Sequence, residues 1–153
     1  MGITPPLEER ESCGVLPEVV WMSQASAELY EPGEREVCIS IRDPAAPLPG
    51  LSPRFIAVLS LEFQDDPEPG WEERGRSITE AQADQVIEFV ERHMAARRIV
   101  VHCLVGVSRS PSLAAGLLVA HGRWAEPNRI VNPGVYQRIL GACARRLGPR
   151  RRS

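Results

Sequence analysis

The sequence predicts an α/β protein with a central, mostly parallel sheet flanked by helices. Two observations carry this reading. Short runs of apolar β-formers alternate with stretches whose apolar residues recur at helical spacing. One of those runs, Ile99-Val100-Val101, passes into a compact loop and then directly into a helix start at Ser110-Pro111. A strand, a tight loop and a helix N-terminus in succession put a ligand site at the C-terminal edge of a parallel sheet. The 153 residues suffice for one core and are read as one domain over 1–153, with a loose arm at 1–15 and a basic tail at 148–153.

Residues 1–15 are rich in Pro and Glu. Residues 16–22 (L-P-E-V-V-W-M) read as a first strand and 23–29 as a short helix. A second strand, 36–41, alternates Val37, Ile39 and Ile41 with other residues. A connection with four prolines, 42–53, precedes a third strand within 54–63. A loop rich in Pro, Gly and acid follows at 64–75. Then Ser77-Ile78-Thr79-Glu80-Ala81-Gln82 offers two overlapping capping boxes, S-x-x-E and T-x-x-Q. The helix they open keeps Ala83, Val86, Ile87, Val90 and Met94 on one face. After the loop, Ser110 is the expected N-cap and Pro111 the first helical residue. Residues 113–120 are apolar nearly all round, as a buried central helix requires, and Asn132-Pro133 starts a last helix with Val135, Ile139, Cys143 and Leu147 on its core face.

A net charge of −2 argues against nucleic acid as a partner. No apolar run reaches membrane-spanning length, and residues 1–6 lack the basic and apolar regions of a signal peptide, so a cytoplasmic protein without membrane attachment is expected. The four cysteines, Cys13, Cys38, Cys103 and Cys143, form no C-x-x-C pair, and reduced thiols without a metal or a disulfide framework are expected. Cys38 and Cys143 read as core residues.

The chemistry concentrates in His102-Cys103-Leu104-Val105-Gly106-Val107-Ser108-Arg109-Ser110. Backbone N–H groups and a positive helix end aimed at one point bind a tetrahedral oxyanion, and the same field favours a thiolate at Cys103. Arg109 supplies a planar fork for two phosphoryl oxygens. Gly106 lets the loop bend and the backbone approach a ligand. The Ser110 hydroxyl can donate to the Cys103 sulfur and ease its departure from a thiophosphate.

This stretch resembles the H-C-x-x-G-x-S-R-S signature of the cysteine-dependent protein tyrosine phosphatases, in their dual-specificity-like branch. The likeness extends over about 37–140 and is especially close to small bacterial and phage proteins of that kind. Leu61-Glu62-Phe63-Gln64-Asp65 matches their L-x-F-x-D element, and Thr79-Glu80-Ala81-Gln82-Ala83 their helix start. The resemblance implies a dual-specificity phosphatase-like fold and hydrolysis of phosphomonoesters through a cysteinyl phosphate. It implies Cys103 as nucleophile, Arg109 with residues 104–108 as phosphate cradle, and an aspartate on an upstream loop as general acid. Matching residue by residue picks Asp65, with Asp66 one step out of register. The same resemblance gives His102 a supporting role in the loop backbone and makes Asn132 a brace of the loop, although Asn132 also reads as an N-cap. No cofactor is implied.

The expected substrate is a phosphorylated protein or peptide. Phosphotyrosine leads, and pocket depth decides whether phosphoserine or phosphothreonine also fits. Leu104, Val105 and Val107 are apolar and no loop lysine is present to meet a second phosphate. Two further readings remain: a pseudophosphatase or phospho-binding regulatory module, which usually lacks the Cys or Arg, and a rhodanese-like sulfur transferase, also α/β with a Cys loop, which Ser110-Pro111 and the upstream aspartate fit less well. A monomer is expected. Trp71, on the loop that carries the acid, could stack on a substrate ring or pack that loop down.

Overall fold

The computed structural model describes residues 15–147. The chain runs β1 (Glu18–Ser23), α1 (Gln24–Leu29), β2 (Glu36–Arg42), β3 (Ala57–Glu62), α2 (Trp71–Arg74), α3 (Glu80–Arg92), β4 (Arg98–Cys103), α4 (Arg109–Ala120), a 3-10 turn (Pro127–Arg129) and α5 (Pro133–Leu147). The four strands lie in the order β1-β4-β2-β3, and every pairing is parallel. The expected arm and tail lie outside the described residues, apart from Val15.

Strand burial follows position in the sheet. Six residues of β2 are buried, because β2 is flanked by β4 and β3 and covered on both faces. The edge strand β3 alternates between half-buried and exposed positions up to Leu61, the one fully buried residue in it. It starts at Ala57, later than the sequence suggests. Phe55 leaves the strand to pack with Cys38 and Val100 on the second face of the sheet.

The other face carries Val37, Ile39, Ile41, Ile99, Val101 and Cys103 and packs against α3, α4 and α5 as the main core. Helix α4 is buried from Arg109 to Leu118, in keeping with its apolar sequence. It approaches α5 closely at Gly116, where a Cβ would lie 2.9 Å from Cβ of Ile139. Val135, Ile139, Ala142 and Cys143 form the buried side of α5.

Capping decides the helix starts. Ser23 is both the last residue of β1 and the N-cap of α1, its Oγ accepting from the Ser26 N–H at 3.1 Å. Of the two expected capping boxes only Thr79 with Gln82 forms, at 3.0 Å in each direction, and the buried Ser77 hydroxyl has no hydrogen-bond partner among the described residues. Helix α4 corrects the expectation for Ser110. The helix begins at Arg109 with Ser108 as N-cap, so Ser110 and Pro111 are its second and third residues, within the turn that tolerates a missing N–H.

The cysteines also depart from expectation. Cys38 and Cys103 are free thiols, whereas Cys143 is disulfide-bonded. Sequence spacing excludes a local C-x-x-C pair but is silent on pairings between distant residues, which depend on the fold. Cys13 lies outside the described residues. None of the described helices is long and apolar enough to cross a membrane.

Candidate active site

All four strands deliver residues to one edge of the sheet. Cys103 ends β4, Ser23 ends β1, Asp43 follows β2 and Phe63 follows β3. Side chains alternate along β4, so Cys103 faces the helices while His102 faces the opposite side. His102 is fully buried there, its Nε2 2.6 Å from the Ser40 hydroxyl, and that burial holds its imidazole below the ordinary histidine value.

The loop 104–108 folds back over the end of β1. Gly106 has φ +86°, and a Cβ there would lie 2.6 Å from the backbone nitrogen of Ser23. The Gln24 N–H donates to the Leu104 carbonyl at 3.2 Å and ties the loop to the start of α1. Donors then gather at the sulfur. The N–H of Gly106 lies 3.3 Å and that of Ser110 3.4 Å from Sγ of Cys103, with the Ser110 hydroxyl at 3.2 Å. Leu104, Val105 and Val107 are each at least half exposed and rim the loop with apolar side chains.

Arg109 is buried, and its Nη1 donates to the Phe63 carbonyl at 2.7 Å and to Oδ1 of Asp43 at 2.8 Å. Its Nε and Nη2 have no hydrogen-bond partner among the described residues. One side of the fork is therefore anchored by protein and the other is left for an acceptor.

The two aspartates separate cleanly. Asp66 is buried and gripped by Arg74, whose Nε and Nη2 reach its two carboxylate oxygens at 2.8 Å each, with Arg76 at 3.5 Å. The Arg74 hydrogen bonds hold its carboxyl below the usual carboxylate range. Arg74 also donates to the Glu68 and Pro69 carbonyls, and the Gln64 N–H donates to the Arg76 carbonyl at 2.8 Å, so the segment 64–76 closes on itself. Asp65 instead reaches the loop. Its Oδ1 accepts from the Ser108 hydroxyl at 2.7 Å and from Nδ2 of Asn132 at 2.8 Å. Asn132 caps α5, its Oδ1 accepting the Val135 N–H at 3.2 Å, whereas the brace expected of it reaches the loop only through Asp65 and its bond with Ser108.

Trp71 packs the segment down. Its indole covers Gly134 so closely that a Cβ there would be 2.7 Å from the ring, and the Arg138 guanidinium sits 5.0 Å from the ring centroid. Among the described residues no group of three His, Cys, Asp or Glu side chains could hold a metal ion.

Sequence reasoning missed Asp43, Phe63 and Arg74. Asp43 carries the one available signal, a carboxylate just beyond the C-terminal end of a strand. The Phe63 contact is through backbone and has none. No protein-family model matches the chain, and no curated protein matches it significantly.

Proposed function

We propose that the protein is a phosphomonoester hydrolase of the dual-specificity phosphatase type, acting on phosphotyrosine in proteins through a cysteinyl-phosphate intermediate. The observation that carries this reading is the convergence of two backbone N–H groups and a hydroxyl on the Cys103 sulfur, beside an arginine whose Nε and Nη2 are unclaimed. Such a set of donors stabilises both an anionic sulfur and an oxyanion.

In the proposed reaction Cys103 attacks phosphorus in line, and Arg109 with the loop N–H groups holds the equatorial oxygens. The P–O bond breaks, its electron pair stays on the leaving oxygen, and Asp65 gives that oxygen its proton. Water then attacks the thiophosphate while Asp65 takes a proton back. The sulfur departs as thiolate with the Ser110 hydroxyl donating to it. The four groups and water supply the chemistry without a cofactor. The apolar rim of Leu104, Val105 and Val107 suits an aromatic ring above the phosphate. A cytoplasmic monomer acting on phosphoproteins completes the proposal.

The competing thiol is inert, since burial pushes Cys38 up to about 12. The test is hydrolysis of p-nitrophenyl phosphate and of a phosphotyrosine peptide. Cys103→Ser should abolish turnover of both while the fold survives. Turnover above about one per cent of wild type in that variant would overturn the two-step mechanism, because a serine hydroxyl does not ionise near neutrality.

A further inference from the structure

The proposed reaction asks one oxygen of Asp65 to carry a proton, and the hydrogen bonds around that carboxyl distinguish its two oxygens. Ser108 and Asn132 both donate to Oδ1, at 2.7 and 2.8 Å. Oδ2 accepts from no group among the described residues. A neutral carboxyl has one carbonyl oxygen, which accepts, and one hydroxyl oxygen, which donates.

The Ser108 hydroxyl could accommodate either, since it both donates and accepts. The Asn132 amide nitrogen cannot, because it only donates. Its orientation is fixed from the other end. The Asn132 Oδ1 accepts the Val135 N–H at 3.2 Å at the start of α5, which turns the NH2 group toward Asp65. The Asn132 backbone N–H is held in turn by the Ser112 hydroxyl at 2.8 Å. A proton on Oδ1 would face the amide NH2 and forfeit that bond. A proton on Oδ2 leaves both of these bonds in place.

Resting on the reading of Asp65 as general acid, we propose that Asn132, assisted by Ser108, is a positioning residue that assigns the transferable proton to Oδ2 of Asp65. The oxygen that delivers the proton is thus set by a helix N-cap. When the leaving oxygen takes that proton, Asp65 becomes a carboxylate whose Oδ1 charge both donors stabilise, so they act in the transition state as the charge develops.

The test compares kcat and KM for p-nitrophenyl phosphate, whose leaving group needs little protonation, with those for an alkyl phosphate, whose leaving group needs it fully. Asn132→Asp keeps an oxygen for the Val135 N–H and is a good N-cap, but has no donor for Asp65. Asn132→Asp should lower kcat on the alkyl phosphate by about tenfold or more while changing the nitrophenyl kcat by less than about threefold. Inhibition by inorganic phosphate should stay near wild type. Added to Asp65→Asn, Asn132→Asp should cost nothing further on the alkyl substrate. Should Asn132→Asp fold poorly, Asn132→Ser retains a capping oxygen and serves in its place. Equal losses on both substrates, or none, in variants that fold would overturn the positioning role provided Asp65→Asn itself loses selectively on the alkyl phosphate. If Asp65→Asn shows no such selectivity, the general-acid reading and this inference fall together.

Discussion

Arg109 has its Nη1 already committed to Phe63 and Asp43, which orients the rest of the guanidinium without occupying it. Lysine cannot divide itself this way, since one ammonium would have to satisfy the buried carbonyl and the substrate together. Arg109→Lys should therefore lower kcat/KM on the order of a hundredfold and weaken inhibition by inorganic phosphate in parallel. Near-normal values for both would remove the two-pronged role. Asp66 makes a different claim. Its carboxylate is spent on Arg74, so Asp66→Asn should loosen the segment 64–76 and lower activity on every substrate alike, without the leaving-group selectivity expected of Asp65→Asn. Selective loss in Asp66→Asn, measured on the same two phosphates, would shift the acid by one residue. At this scale the sequence points to Cys103 and Arg109 through the spacing of one loop and to Asp65 through a resemblance, and the structure brings Asp65 onto that loop at Ser108. The partners Asp43 and Phe63 were not legible, since they come from strands whose neighbours only the fold decides.

Elements were legible where local chemistry set them. Alternation marked β2, and the Thr79–Gln82 box marked the start of α3. The sequence misplaces the start of α4 because capping rules look for a side-chain bond, and the N-cap Ser108 makes none, its hydroxyl donating to Asp65. The segment 64–76 is long in sequence, yet its Arg74 staple and the Trp71 contact with Gly134 give it structure that no periodicity announces. The loop after β4 tolerates no such improvisation. Gly106→Ala forces an L-residue to φ +86° at roughly 1–2 kcal/mol and pushes a methyl to 2.6 Å from the Ser23 nitrogen. The variant should unfold at lower denaturant and lose most of its turnover. Unchanged values for both would mean that the loop does not rest on β1.

For the whole molecule, strand order was not legible, because parallel strands find partners far along the chain and sequence patterns describe each strand alone. The resulting sheet buries ionisable groups at both ends. At the edge away from the site, burial pushes the Glu36 carboxyl up, but hydrogen bonds from Tyr30, Gly33 and Arg97 with the Arg98 charge outweigh it and hold it low. Its contribution to stability is present above the ordinary carboxylate range and is lost as pH falls through the folded value. His102 acts at higher pH. Its folded value lies below the unfolded one of about 6.5, so the unfolded chain takes a proton first and stability falls as pH drops from there toward the folded value. Denaturant midpoints measured against pH should show a shallower decline over that window in His102→Gln than in wild type, and identical slopes would mean that the buried imidazole is not neutral. The position of β4 has a temporal consequence as well. Among the described residues β1 pairs with no strand but β4, and Glu18 meets Arg98 across a separation of 80 residues. During synthesis the first strand must wait for most of the chain to emerge, and such non-local closure makes folding slower than in a helical bundle of equal length. The same closing step brings Ser23 beneath Gly106 and the loop donors around Cys103, so a chain still short of its fourth strand has no donor set assembled around that sulfur.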